Sequence, residues 1–328
     1  MIRLQISPKG VRGAGLATAA FLLLSSMGST APATAVGHPE RSASTCAPTK
    51  TPAVAGRSVR ADDHQDLTDR EVRLVQREME RALDSASQRT LKQARVGVTA
   101  QIPVRVYVIA GTTYRGPSRA DVRNQLQILN AAYAGGQSST NTESGYSFFL
   151  KTFDRVRSQR WLTAGVNAND LPDKASREMR RTLHKGGRSA LNLYISKPGE
   201  GLLGYSSLPW EIDNKPDQDG VTIHAQSMPG GNKSGFNRGD TLVHEVGHWL
   251  GLLHTFQGGC ANPNDRVSDT PAERVPTSRC PAGKNTCPAP GKDPIHNFMD
   301  YSYDTCMYEF TPGQVSRMDD FWLAFRAS

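Results

Sequence analysis

The chain has 328 residues, of which 37% are hydrophobic and 21% charged, which is enough for one sizeable domain with an added segment or for two small domains. Its formal net charge is +8, but the Lys and Arg residues are scattered among Asp and Glu, as in the stretch 62–81. Since nucleic-acid binding normally needs a concentrated basic patch, this pattern argues against a nucleic-acid partner.

The N-terminus has the layout of a secretory signal peptide. Basic residues precede an apolar run from 14 to 24, and small residues follow it up to Ala33-Thr34-Ala35, where we expect cleavage. The alternative is a membrane anchor, but the run is short for a bilayer, and no later stretch is long and apolar enough to span one. We therefore expect residues 1–35 to be removed and the mature protein to be secreted, with no membrane partner.

The next segment, from 36 to about 66, is rich in Ser, Thr, Ala, Pro and Arg, which predicts poor structure. Thr68 and Glu71 then form a capping box ahead of a helical pattern, which we expect to fade near Gln93. The apolar residues of this pattern recur at helical spacing and are Val72, Val75, Met79 and Leu83.

Strands and helices interleave through the middle of the chain. The predicted strands are 104–109, 146–156, 191–195, 202–208 and 221–225, and the predicted helices are 118–133 and 173–184. This alternation is typical of a twisted α/β sheet with helices packed against it. Gly, Pro, Asn, Asp and Cys dominate from 258 to 294, so we expect irregular structure there, followed by a C-terminal helix that Thr311 caps.

The strongest chemical signal is a pair of histidines on one predicted helix. His244 and His248 are four residues apart, so their imidazoles project from the same face and can bind one zinc ion. Glu245 lies beside them, close enough to contact a zinc-bound water without being a ligand. Asp240 is the expected N-cap of this helix.

A third histidine follows, but a helix that continued straight would carry it away from the metal. Gly251 can adopt a positive φ and end the helix, so that His254 returns as a third ligand. Three protein ligands are typical of a catalytic zinc site, whereas a structural site is closed by four. The alternatives are a chance run of histidines and a degenerate site that has lost its metal.

The extended pattern from His244 to His254 is the metzincin signature, which also requires a downstream methionine beneath the zinc. Met299 fits this position and would form a soft apolar floor, a role that coincides with core packing. Tyr301 can direct its hydroxyl to the metal and donate to the oxyanion of a tetrahedral intermediate. The alternative for Tyr301 is a partly buried ring whose hydroxyl is bonded elsewhere.

These residues resemble one metzincin family in particular, the pappalysins (peptidase family M43), in their short secreted microbial form. The resemblance covers about a third of the chain, and its segments are 202–206, 219–221, 244–260, 267–273 and 297–303. It implies a two-lobed metzincin catalytic domain with a twisted mixed sheet, an active-site helix and an irregular, disulfide-linked C-terminal lobe. We assign 1–35 to the signal peptide, 36–95 to the propeptide and N-terminal segment, and 96–328 to the catalytic domain.

The resemblance also implies features of the C-terminal lobe that spacing alone leaves open. Four clustered cysteines in an exported chain allow three pairings, and the family pattern implies Cys260–Cys287 and Cys280–Cys306. Some family members bind calcium in the loop after the zinc helix. The candidate oxygen ligands here are Asp265, Asp269 and Thr270, with a solvated polar loop as the alternative.

The fifth cysteine, Cys46, lies far from the others near the N-terminus. Family members can be made as zymogens in which a propeptide thiolate occupies the open zinc position, and this is one explanation for an unpaired cysteine in an exported precursor. The sequence around Cys46 lacks an Arg-Cys-Gly context. An intermolecular disulfide and a thiol without a role are the alternatives.

The function we expect is a secreted, zinc-dependent endopeptidase, active as a monomer, in which Glu245 is the general base and Tyr301 assists the oxyanion. Protein or peptide substrates would bind in extended form along the edge strand 202–208. Two other classes stay open: a catalytically silent binding protein on the same fold, and a zinc hydrolase with a non-peptide substrate. Glu245 argues against the first, and the edge strand argues against the second.

Overall fold

The computed structural model describes residues 67–85, 97–167, 171–199, 201–261 and 264–327. The predicted signal peptide and Cys46 lie outside these residues. The helices are α1 (Asp69–Asp84), α2 (Arg119–Tyr133), α3 (Gln159–Leu162), α4 (Lys174–Leu183), α5 (Asp240–Trp249) and α6 (Pro312–Phe325). The strands are β1 (Ala100–Ala110), β2 (Tyr146–Arg157), β3 (Leu191–Ser196), β4 (Gly204–Ser206) and β5 (Val221–His224). No helix among the described residues is long and apolar enough to cross a membrane.

Helix α1 begins with the predicted capping box between Thr68 and Glu71. Val75 and Met79 are buried and form a small core with apolar residues of α6, including Phe321. The helix ends at Asp84 with Ser85 as its C-cap, and the residues from 86 to Gln93, where we expect the helical pattern to fade, lie outside the described part of the chain.

The sheet has the strand order β2-β1-β3-β5-β4. The first four strands in this order pair in parallel, and β4 pairs antiparallel with β5 at the end of the sheet. Every residue of β3 and β5 is buried, since helices cover both faces at the centre of a largely parallel sheet. The mixed sheet and the α/β fold class predicted from the sequence are confirmed.

The strand predicted over 202–208 is shorter in the structure, where it covers only Gly204–Ser206. It is nevertheless an edge strand, as expected. The chain leaves it at Leu208 and enters a short 3-10 turn, Pro209–Glu211, because proline fixes φ and has no N–H to continue the ladder.

Beyond α5 the chain is largely irregular up to α6. Two disulfide bonds hold this part together, and they join the pairs that the family resemblance implies, Cys260–Cys287 and Cys280–Cys306. Thr311 caps α6 through a capping box with Gln314, as predicted. The segment after α5 is therefore tied by two covalent bonds and followed by one helix.

Candidate active site

The predicted zinc-binding helix is α5, and all ten of its residues are buried. The side chains of Leu242 and Val246 have no exposed area. Because they pack in the apolar core, they hold this helix against the sheet. The prediction that Asp240 is the N-cap was wrong. The N-cap is Gly239, at a φ of 105°, and Asp240 is the first helical residue.

A carboxylate from a distant segment serves the start of α5 instead. Asp304 accepts a hydrogen bond from the backbone N–H of Arg238 at 2.7 Å, one residue before the cap. Negative charge at a helix N-terminus is favourable, because the backbone N–H groups there have no intrahelical partner. Sequence reasoning missed this contact because the two residues are 66 positions apart.

The three predicted histidines converge on one point. The Nε2 atom of His248 lies 3.1 Å from the Nε2 atoms of both His244 and His254. Nitrogens bound tetrahedrally to zinc at about 2.0–2.1 Å are separated by roughly 3.3 Å, so the spacing suits a shared zinc ion. All three side chains are buried, and among the described residues they form the one group of three or more His, Cys, Asp or Glu side chains whose ligand atoms lie close enough to hold one metal ion.

The histidine rings are oriented by the backbone. Nδ1 of His244 lies 2.7 Å from the carbonyl oxygen of Phe298, and Nδ1 of His248 lies 2.8 Å from that of Leu252. A carbonyl only accepts hydrogen bonds, so each Nδ1 donates, and each Nε2 keeps the lone pair that a metal needs. The donor set and its tautomers therefore fit zinc.

His254 reaches this point because α5 stops one turn earlier. Gly251 has a φ of 101°, a conformation that residues with a side chain rarely adopt. A Cβ at this position would also overlap the ring of Phe321 on α6. The guanidinium of Arg317 donates to the Gly251 carbonyl at 2.8 Å, which holds the turn from the α6 side.

Glu245 is buried beside the histidines and close to the edge strand. A Cβ added at Gly204, the first residue of β4, would lie 2.5 Å from Oε1 of Glu245. Only a glycine therefore allows the strand to approach this carboxylate so closely. The contact brings the edge strand and the predicted general base to the same wall of the cleft.

Met299 and Tyr301 lie where the Met-turn pattern predicts them. Met299 is fully buried, and its sulfur fills the space that a side chain at Gly247 would occupy, between the two helical histidines. The hydroxyl of Tyr301 lies 3.1 Å from Nε2 of His254, so it faces the point where the histidines meet. The role of Gly247 was not recognised from the sequence.

A cavity beside Glu245 and His244 is lined by three further carboxyl groups, those of Asp240, Asp300 and Asp304. Burial raises the pKa of Asp304 to about 6, and hydrogen bonds from backbone N–H groups at the start of α5 act in the opposite direction. Burial and the nearby Asp304 charge raise the pKa of Asp240. Sequence reasoning missed this group of three acidic side chains in one cavity next to the predicted general base.

The candidate calcium residues lie in different settings. Asp265 is buried, which raises its pKa to about 7, and its Oδ1 accepts from the backbone N–H of Val267 at 3.0 Å. Asp269 accepts from the hydroxyl of Thr311 and the backbone N–H of Gly313 at the start of α6. Thr270 is buried. Calcium binding by these residues stays a prediction.

Comparison with known proteins connects this geometry to a family. The family model Peptidase M43, described as pregnancy-associated plasma protein-A, matches residues 189–323. An extracellular metalloprotease of Pyricularia oryzae is 43% identical over 251 residues, which cover 74% of this chain and 82% of the relative. One of Neurospora crassa is 40% identical over 237 residues, which cover 70% of this chain and 77% of the relative.

A solved structure is similar as well. It is mature mirolysin of Tannerella forsythia in complex with a cleaved peptide, and it is 30% identical to this chain. The TM-score is 0.55, and the match covers 68% of this chain and 91% of mirolysin. The similarity thus extends from the zinc-binding segment to the fold around it.

Proposed function

The chain belongs to the M43 family of metallopeptidases, and we propose that it is a secreted zinc endopeptidase that hydrolyses extracellular proteins. The observation that supports this most strongly is the convergence of three buried histidine Nε2 atoms beside Glu245. Secretion is supported by the signal-peptide pattern at residues 1–35 and by relatives named extracellular metalloproteases.

In this proposal His244, His248 and His254 hold the zinc ion. When bound, zinc supplies positive charge that acidifies a water molecule and polarises the scissile carbonyl. Glu245 accepts the proton of the attacking water and returns it to the leaving amine. The Tyr301 hydroxyl donates a hydrogen bond to the oxyanion that develops at the carbonyl. No covalent acyl-enzyme is expected, since water attacks directly.

The substrate would bind in extended form along β4. This strand lies at the end of the sheet, and its Gly204 packs against Glu245, so a peptide aligned with the strand has its backbone close to the proposed base. Mirolysin, with 30% identity, has been solved with a cleaved peptide, and this similarity favours the same substrate class here.

Removal and return of the metal test the proposal directly. We expect casein cleavage by the purified protein to be lost on treatment with a zinc chelator and restored by a stoichiometric amount of zinc. The measurement is the rate of peptide release, with metal content determined in parallel. A protein that contains zinc but leaves casein and gelatin intact would contradict the proposal and favour a silent binding protein.

The acidic cavity predicts a preference for basic substrate side chains. Because Asp240, Asp300 and Asp304 line the cavity next to Glu245, cleavage sites in a peptide mixture should have Lys or Arg adjacent to the scissile bond. In Asp304→Asn, which retains an oxygen for the Arg238 N–H, we expect kcat/KM on such peptides to fall roughly 10- to 100-fold, as for a lost hydrogen bond between charged groups.

Peptides with a neutral side chain at the same position are the control, and their kcat/KM should change little. Mass spectrometry of the products locates the cleaved bonds. An equal loss on basic and neutral peptides would mean that Asp304 acts only on the start of α5.

A further inference from the structure

A lysine ammonium is enclosed by oxygen atoms in the irregular segment between α5 and α6. The Lys284 Nζ atom lies 2.5 Å from Oε1 of Glu273, 2.6 Å from the carbonyl oxygen of Val275 and 3.0 Å from the hydroxyl of Thr277. The fourth oxygen, Oδ2 of Asp293, lies 3.2 Å away. The side chains of Glu273 and Asp293 are fully buried, and that of Lys284 is 15% exposed.

The oxygens around Lys284 differ from those of an ordinary surface ion pair. Two carboxylates, a backbone carbonyl and a hydroxyl surround one point, and these are the ligand types that Ca²⁺ takes from proteins. An ammonium has only three hydrogens to share among four oxygens. The arrangement is that of a cation-binding cage in which a side chain supplies the cation.

The carboxyl groups in and beside the cage outnumber the single ammonium. Asp300 is a third buried carboxyl group, and its Oδ2 has no hydrogen-bond partner among the described residues. Burial and then the charge of Asp300 raise the pKa of Glu273 to about 7, while Lys284 acts in the opposite direction. The local field therefore favours positive charge.

Two members of this cluster connect it to the proposed active site. Oε2 of Glu273 accepts from the hydroxyl of Thr255, the residue after His254, at 2.8 Å. Oδ1 of Asp300 accepts from the backbone N–H of Tyr301 at 2.7 Å and from that of Thr277 at 2.9 Å. A cation in the cage thus contacts Glu273, which bonds the residue after the third zinc ligand, and its charge also acts on Asp300, which bonds the Met-turn tyrosine.

We propose that the Lys284 ammonium is a built-in substitute for a divalent cation, and that it is a positioning residue for His254 and Tyr301. Removing it should leave a vacant oxygen cage that Ca²⁺ can occupy. The effect on catalysis rests on the proposed peptidase function, but the cation-binding property does not. This cage is separate from the candidate calcium residues Asp265, Asp269 and Thr270.

The test uses Lys284→Met, which removes the charge and keeps most of the side-chain length. Lys292→Met, an exposed lysine of the same segment, is the matched control. Both are made in the Glu245→Gln background to suppress autolysis, and thermal unfolding is followed with and without millimolar CaCl₂. Without calcium, Lys284→Met should lower Tm by roughly 5–10 °C, because buried carboxylates lose their partner.

Calcium should raise the Tm of Lys284→Met well beyond its effect on the parent and on Lys292→Met. A Tm of Lys284→Met equal to that of the parent would overturn the proposal, as would a lowered Tm that calcium does not raise more than the parent's. The double variant Glu273→Gln/Lys284→Met removes one negative charge with the positive one. It should recover part of the lost Tm and respond less to calcium, and it keeps the test valid if Lys284→Met does not fold.

The catalytic part is measured with an active Glu245. Lys284→Met should have a lower kcat/KM on casein peptides than the parent, and calcium should restore it. If Lys284 had only a structural role, calcium would not restore kcat/KM. Activity that stays low while calcium raises Tm would overturn the positioning role. An inactive parent enzyme would instead contradict the peptidase function and leave the result on cation binding intact.

Discussion

Replacing Glu245 with Gln is expected to lower kcat for casein hydrolysis by about 10²- to 10⁴-fold, with little change in KM. Gln has nearly the same shape and can still pack against Gly204, but its amide cannot accept a proton from water. Glu245 is not one of the three candidate zinc ligands, so the zinc content of the protein should stay the same. The change therefore removes the base and leaves the metal and the edge strand in place.

Glu78→Gln is the control for this experiment, because it removes an exposed carboxylate of α1 far from the cleft in sequence and should leave kcat unchanged. Zinc content measured on all three proteins separates loss of the base from loss of the metal. Undiminished cleavage by Glu245→Gln would refute the assignment of Glu245. Since a binding protein has no need of a base, a large loss also argues against the non-catalytic alternative.

Replacing Arg326 with Met is expected to reduce the free energy of unfolding by about 3–5 kcal/mol, the usual effect of breaking a buried ion pair from one side. Arg326 and Asp219 are both almost fully buried and make two hydrogen bonds, of 3.0 and 3.1 Å. Arg326 also donates to the carbonyl oxygen of Trp249 at 2.9 Å, at the end of the zinc-binding helix.

The Arg326–Asp219 pair also contacts the residue that follows the edge strand β4. The hydroxyl of Ser207, the residue after β4, donates to Oδ1 of Asp219 at 2.8 Å, and the Trp249 indole N–H donates to the same atom at 3.1 Å. One buried carboxylate thus joins the end of α5 to the end of β4, and Arg326 balances its charge. We expect loss of Arg326 to loosen both walls of the cleft.

The stability lost in Arg326→Met should increase from low to neutral pH. Burial acts to raise the pKa of Asp219, but Arg326, Ser207 and Trp249 outweigh it, so the folded pKa lies below the ordinary value. The pair therefore contributes stability above the unfolded pKa of about 3.9 and loses it as the pH falls. Without Arg326, burial raises the folded pKa, so the stability difference between parent and variant should be larger at pH 7 than at pH 4.

Urea unfolding in the Glu245→Gln background measures this difference. Arg181→Met is the matched control, because Arg181 pairs with Asp217 at the surface, where an ion pair contributes about 0–1 kcal/mol. The double variant Asp219→Asn/Arg326→Met should recover part of the lost stability, since no charge is left buried alone. Equal effects of Arg326→Met and Arg181→Met would show that the buried pair adds nothing.

Local sequence signals predicted the helices and their caps well. Thr68 and Thr311 cap helices where the sequence predicts it, because a capping hydrogen bond joins residues only three positions apart. The histidine spacing and Gly251 likewise act within a few residues along the chain. Such features are readable from one sequence because the interacting groups are close neighbours in it.

Other expectations depended on partners that the sequence does not identify. The start of α5 was assigned to Asp240, although the carboxylate that serves it belongs to Asp304. The length of β4 was overestimated, since its apolar flanking residues are buried by the fold around them and not by the ladder. Neither error affects the zinc ligands, whose positions depend on the helix period and one glycine.

The sequence by itself thus determined the fold class, the candidate metal-binding residues and the order of elements around them. Only the tertiary structure decided what surrounds the site: the acidic cavity of Asp240, Asp300 and Asp304, the buried Arg326–Asp219 pair and the Lys284 cage. The physical reason is that these partners lie far apart along the chain. Arg326 and Asp219 are 107 residues apart, and a buried charge is stable only beside a partner that folding brings to it from such a distance.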